Sequence, residues 1–233
     1  MNENSHPNIL LLRHVAQRLG PLLSEVVFVG GAIVSLYFTR QDLPPVRSTR
    51  DIDVIVEVTS RVRYHAFAEK LRQRGFQEDL ESSVLCRWCV DDILVDVMPL
   101  EASILGFSNR WYLKTFATAE QKNISDDISL RLATPPCFVA TKFEAFAGRG
   151  QSDFLLSRDI EDIVTVVLGR VELREEIAAS SPELRIYLAT QFQEHLGNAD
   201  FKDALSGHVL PDAVSKSRIP LLLKRMQEIA ALD

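Results

Sequence analysis

Val26-Val27-Phe28-Val29-Gly30-Gly31, followed by Arg47-Ser48-Thr49-Arg50-Asp51-Ile52-Asp53-Val54-Ile55-Val56, decides how this chain of 233 residues is read. The first run is apolar and ends on two glycines, the pattern of a buried strand entering a tight turn. The residues after it (Ala32, Ile33, Val34, Leu36, Tyr37, Phe38) predict a helix. Glycines between a strand and a helix let backbone N–H groups approach a bound anion at the positive end of the helix dipole. The second run sets Asp51 and Asp53 two positions apart in a β-type segment. Side chains alternate across a strand, so both carboxylates share one face while Ile52 and Val54 take the other. Their spacing of roughly 6.6–7 Å along the strand suits two carboxylates gripping metal ions about 3.5–4 Å apart. Taken singly, each signal has a plainer reading, as solvated acids at a strand start and an ordinary turn. The order in which they occur is what points to a site.

A third acid completes that order. Asp96 lies inside the apolar run Ile93-Leu94-Val95-Asp96-Val97-Met98-Pro99. A buried ionised carboxylate is costly unless paired or metal-bound. Two such groups about 4 Å apart repel by roughly 4 kcal/mol at an effective dielectric near 20. Three converging acids therefore call for divalent cations. The alternative for Asp96 is an ion pair with Arg87 or Arg50, or a kink that exposes it. Further along, Lys142 interrupts the apolar helical stripe of Phe138, Val139, Phe143 and Phe146. It either snorkels to the surface or reaches a phosphate from beneath a cleft.

The length admits one large domain or two small ones. A hydrophobic content of 46% with 25% charged residues supports an ordinary globular core. The net charge of −6 argues against a broadly basic surface, although cations cluster at 61–74 and 216–225. Three cysteines and no secretory leader fit a reducing cytoplasm. The Cys86-x-x-Cys89 spacing has no second pair or histidine cluster to make a zinc site. No apolar run is long enough to cross a membrane.

Taken in order, Ser5 and Pro7 predict a helix start, and Gly20-Pro21 its end. Residues 41–46, with Pro44-Pro45, predict a loop. Ser60 is expected to cap a helix ending at Gly75, whose outward cations form either a solvated face or a contact for RNA or phosphate. Val84–Val90 and Ile93–Met98 predict a hairpin around Asp91-Asp92. Thr115–Ala119 and Ile128–Leu132 predict short strands around a polar turn, Lys122–Asp127. Beyond Pro135-Pro136 the patterning is helical throughout. Gly148–Asp153 reads as a polar loop, and Ser157 as the cap of a helix carrying Asp159 and Asp162, acids that by themselves only complement its dipole.

The set Gly30-Gly31, Asp51-x-Asp53 and Asp96 resembles the nucleotidyltransferase superfamily that includes DNA polymerase β. The longer pattern adds Arg47-x-Thr49, Lys142-x-x-Ala145, Arg149 and Arg158-Asp159-x-x-Asp162. It is similar to the AbiEii-type nucleotidyltransferase toxins of prokaryotic toxin–antitoxin and abortive-infection systems, over about Val27 to Val167. The resemblance implies an α+β fold. A polymerase-β-like core of short mixed sheet flanked by helices would span 1–134. A C-terminal helical bundle, 135–233, would pack on it and close the active-site cleft. It implies an enzyme that moves a nucleoside monophosphate from an NTP to an acceptor hydroxyl with release of pyrophosphate. Gly30, Gly31 and Lys142 would hold the triphosphate, with Arg47 and Ser48 also nucleotide-binding; for Arg47 and Arg50 the alternative is an ion pair with neighbouring acids. Asp51, Asp53 and Asp96 would bind Mg2+ or Mn2+, and Asp159 would complete the catalytic set. The expected partners are an RNA acceptor, tRNA first, and a cognate antitoxin protein, with no membrane. The other readings are a catalytically silent binding module of the same fold, or a transferase acting on a protein side chain or a small molecule.

Overall fold

The computed structural model describes residues 6–40, 46–106, 108–149, 153–209 and 213–232, the side chains of 213–217 excepted. The chain divides into two units. The first comprises Met1–Ile33 with Arg47–Thr134, and the second Val34–Val46 with Pro135–Asp233.

The first unit opens with α1, Pro7–Leu19. Its cap is His6, whose Nδ1 accepts the Asn8 N–H at 3.2 Å; the expected cap, Ser5, lies outside the described residues. The strand β1, Val26–Val29, is buried at all four positions, as β-branched and aromatic residues covered on both faces should be. After it, the expected helix forms as a 3-10 helix, Gly31–Tyr37. Then come β2, Asp51–Val56, and α2, Arg61–Gln73, capped by Ser60, whose Oγ accepts the Arg63 N–H at 3.2 Å. On α2 the outward cations are largely spoken for. Lys70 pairs with Glu25 at 2.9 Å, Arg72 with Glu69 and Glu78, and Arg74 donates to the Arg18 carbonyl at 2.8 Å.

A hairpin follows the short β3, Gln77–Glu78. Its strands are β4, Arg87–Val90, and β5, Ile93–Pro99. The two-residue connection puts Asp91 at φ 47° and Asp92 at φ 64°, the left-handed pair that a primed turn demands. Asp91 is held there by His14 Nε2 at 2.7 Å and by Arg18 at 2.5 Å. Two short helices come next, α3, Ala102–Leu105, and α4, Tyr112–Ala117. The strand expected at Thr115–Ala119 is thus a helix through Ala117. Thr115 sends both its hydroxyl and its N–H to the Trp111 carbonyl, each at 2.8 Å, which accommodates a buried β-branched residue in a helix. The polar stretch expected as a turn begins instead as β6, Glu120–Asn123, paired with β7, Ser129–Leu132.

These strands form one mixed sheet in the order β3-β4-β5-β2-β1-β7-β6. The strand β2 runs antiparallel to β1 and parallel to β5, and β1 runs parallel to β7. The three strands expected to carry the glycines and acids are therefore neighbours at its middle.

The second unit is helical: α5, Pro135–Gly148; α6, Arg158–Gly169; α7, Leu173–Ala179; α8, Pro182–Gly197; α9, Ala199–Ala204; and α10, Ala213–Ala230. Side-chain caps start three of them. Ser157 accepts from Ile160 N–H at 3.3 Å, Ser181 from Leu184 at 3.5 Å and Asn198 from Phe201 at 3.2 Å. An aromatic cluster fills its middle: Phe143 meets Phe192 at 5.1 Å between ring centroids, and His195 lies 5.1 Å from Phe201. Residues 37–40 belong to this unit. Tyr37 packs edge-on to Phe138 at 5.2 Å, and Thr39 and Arg40 N–H both donate to the Gly169 carbonyl, at 3.0 and 3.3 Å. The loop expected at 41–46 lies outside the described residues except for Val46, as does Gly150-Gln151-Ser152 of the loop before α6. Among the described residues no helix is long and apolar enough to cross a membrane.

Candidate active site

The pairing register assembles the acids. Asp53 lies directly beside Asp96 across the parallel pair β2–β5, and Asp96 beside Arg87 across the hairpin. Residues opposite each other in a sheet share a face, and so do i and i+2, so Asp51, Asp53, Asp96 and Arg87 all present to one side. Arg87 donates from Nε and Nη2 to the two oxygens of Asp96, at 2.8 Å each. The same Nη2 lies 3.7 Å from Asp51 Oδ2. This bidentate bond is the main reason the Arg87 guanidinium is held charged above its already high ordinary pKa. Its side chain is 19% exposed and that of Asp96 10%.

Gly30 supplies the floor beside Asp53. Its φ is +73°, and a Cβ there would fall inside the Asp53 carboxylate. Only glycine satisfies both conditions without strain. Just before β4, Cys86 is 2% exposed. Burial, then the charges of Asp96 and Asp53, push its thiol up to about 12, so it stays protonated beside the acids.

Asp51 is oriented by a chain of contacts that starts in α1. Asn8, fully buried, donates Nδ2 to the Arg47 carbonyl at 3.1 Å and accepts the Thr49 N–H at 3.0 Å. The carboxamide thus mimics a strand edge and holds residues 47–49 by both of their backbone groups. Thr49 Oγ1 then donates to Asp51 Oδ1 at 2.6 Å. Nothing in the local pattern singles out Asn8; an uncharged polar residue on the apolar stripe of α1 was the available signal. Arg47 is half-buried in this clamp, while Ser48 and Arg50 are exposed. Gly31 opens the 3-10 turn after Gly30.

Carboxylate oxygens are the donors that magnesium and manganese take, and three of them stand here on adjacent strand positions, so the donor set fits such an ion in kind. Two of the three, Asp96 and Asp51, pair with Arg87. Among the described residues no three His, Cys, Asp or Glu side chains are grouped to hold a metal ion.

Within the second unit, Lys142, Arg149, Asp159 and Asp162 form a cluster. Lys142 of α5 meets Asp159 Oδ1 at 3.2 Å and Asp162 Oδ2 at 2.7 Å, both on α6. Arg149 pairs with the other oxygen of Asp159. The carboxylates are 3% and 2% exposed, so these acids are buried ion-pair partners and do more than complement the helix dipole. Lys142 does not snorkel; its Nζ also lies 5.6 Å from the Phe138 ring centre.

No family model and no curated protein matches the chain. Among solved structures it is similar to the crystal structure of an antigenic nucleotidyltransferase-like protein from Paracoccidioides brasiliensis, with a TM-score of 0.53. The identity is 21%, over 87% of this chain and 94% of that one, which makes the likeness one of fold.

Proposed function

We propose that this chain is a nucleotidyltransferase that moves a nucleoside monophosphate from a triphosphate to an acceptor hydroxyl. One observation carries the reading: Asp51, Asp53 and Asp96 share a face of β2 and β5, with the Gly30 backbone against Asp53. In the reaction the acceptor oxygen forms a bond to the α-phosphorus while the bond to the bridging oxygen breaks and pyrophosphate leaves. Asp96 takes the hydroxyl proton. Backbone N–H groups at Gly30 and Gly31 face the phosphates, joined by Arg47 and Ser48 from the segment that Asn8 holds. Magnesium or manganese, held by Asp51, Asp53 and Asp96, would neutralise phosphate charge and lower the pKa of the acceptor hydroxyl. Lys142 keeps the triphosphate contact, and Asp159 the place in the catalytic set, that the resemblance implies. This is a separate part of the proposal, because each already has an ion-pair partner in the second unit.

The acceptor proposed first is RNA, tRNA in particular, in a toxin that a cognate antitoxin protein neutralises. This part rests on the resemblance to AbiEii-type toxins. A second reading, a catalytically silent module of the same fold, is favoured by the Arg87–Asp96 bond, which engages the residue that would take the proton.

Incubation with each labelled triphosphate, magnesium and total cellular RNA and protein tests the proposal. We expect label in RNA, and none with Asp53→Asn. Label in protein instead would reassign the acceptor. No label in any fraction, together with no magnesium-dependent triphosphate binding by calorimetry, would leave the silent module.

A further inference from the structure

Arg87 ion-pairs with two of the acids on this face, Asp96 and Asp51. Each Asp96 oxygen accepts from a different nitrogen of one guanidinium, and that guanidinium also leans on Asp51. The group is not a surface ornament that water screens, since its side chain is 19% exposed. Three carboxylates on neighbouring strand positions repel one another, and Arg87 is the cation that the fold itself supplies to offset this. A divalent ion drawn to Asp96 and Asp51 meets both a positive charge already in place and oxygens already in use.

From this geometry we infer that Arg87 is a built-in counter-cation that competes with the divalent ion for Asp96 and Asp51, and so sets how tightly the acid face binds metal. The inference rests on the reading of this face as an ion site. It has a consequence for the order of events. A free ion binds weakly, because it must displace the guanidinium with only its own charge. An ion arriving on a triphosphate brings negative charge for the displaced Arg87 to face. Metal and nucleotide therefore bind cooperatively, each strengthening the other by the same factor.

Manganese titration by calorimetry in the absence of nucleotide tests this, with the full-length wild type, Arg87→Gln, Arg87→Ala, Arg87→Lys and Asp53→Asn, each checked for folding by its melting transition. We expect Arg87→Gln and Arg87→Ala to bind manganese roughly tenfold tighter or more, because a nearby positive charge has gone. Arg87→Lys, which keeps the charge, should stay close to wild type. Folded glutamine and alanine variants that bind no tighter than wild type overturn the inference, as does a lysine variant as tight as the glutamine one. The reading beneath it has its own control. If no protein binds manganese, or if Asp53→Asn binds as wild type does, the ion site is not on this face and both fall. If Asp53→Asn loses binding while the Arg87 variants are unchanged, only the counter-cation role falls.

Discussion

At Gly30 backbone and side-chain requirements coincide: a positive φ and no room for a Cβ against Asp53. Gly30→Ala should cost about 2 kcal/mol or more, and urea unfolding would measure it. It should also displace the Asp53 carboxylate, so metal or nucleotide binding should fall further than stability alone explains. The cysteines offer an independent check of burial. Cys86 and Cys137 are buried, and Cys89 is half-buried. With the Cys86 thiol pushed up to about 12, alkylation of the native protein near neutral pH should label Cys89 first and leave Cys86 unmodified until unfolding, as peptide mass spectrometry would show. At this scale the acids were legible, because an aspartate inside an apolar strand is expensive and therefore conspicuous. Asn8 was not. Its partners are backbone groups at 47 and 49, and a side chain that bonds to backbone leaves no mark on the residues it holds.

The hairpin of β4 and β5 shows how an element can be read correctly for an incomplete reason. Alternation and length marked the two strands, but Asp91-Asp92 is a poor primed-turn pair. The turn is stabilised from outside by His14 and Arg18. Asp92 is exposed with φ 64°. Asp92→Gly should therefore raise stability by roughly 0.5–1 kcal/mol in urea unfolding, with the site unaffected. The pair α5–α6 makes the opposite prediction. Lys142→Met would face Asp159 and Asp162 with an apolar side chain, and should cost on the order of 3 kcal/mol, measured by thermal or urea unfolding. Substituting an ordinary snorkelling lysine would cost almost nothing, so the two cases separate cleanly. At Thr115–Ala119 the β-branched and aromatic side chains of Thr115, Phe116 and Thr118 suggest a strand, yet residues through Ala117 belong to α4. The bond from the Thr115 hydroxyl to Trp111 is what overrides that preference.

For the molecule as a whole, a strand-bearing part followed by helices was legible from the change of patterning at Pro135-Pro136, while the mixed sheet was implied by the resemblance alone. The strand order was not legible, since parallel pairs such as β2–β5 and β1–β7 join residues far apart in the chain. The helical interior gives a pH prediction. His195 lies among Phe143, Phe154 and Phe201. Burial holds its pKa below the ordinary 6.5, outweighing the Gln191 carbonyl and Glu194, which act the other way. The folded protein thus favours the neutral ring. This stabilisation is complete above 6.5 and is lost as pH falls through the lower folded value. Melting temperature should drop between about pH 7 and 5, and His195→Leu should flatten that slope.

The segment 34–46 is counted with the second unit, and through Thr39 and Tyr37 it is stitched to Gly169 and Phe138. A gene cut at codon 134 would therefore yield a carboxyl-terminal polypeptide without its own stitching and an amino-terminal one with a dangling insert. On the ribosome the same interleaving means that residues 37–40 emerge long before the helix they fasten to. They must wait for most of translation before their bonds can form.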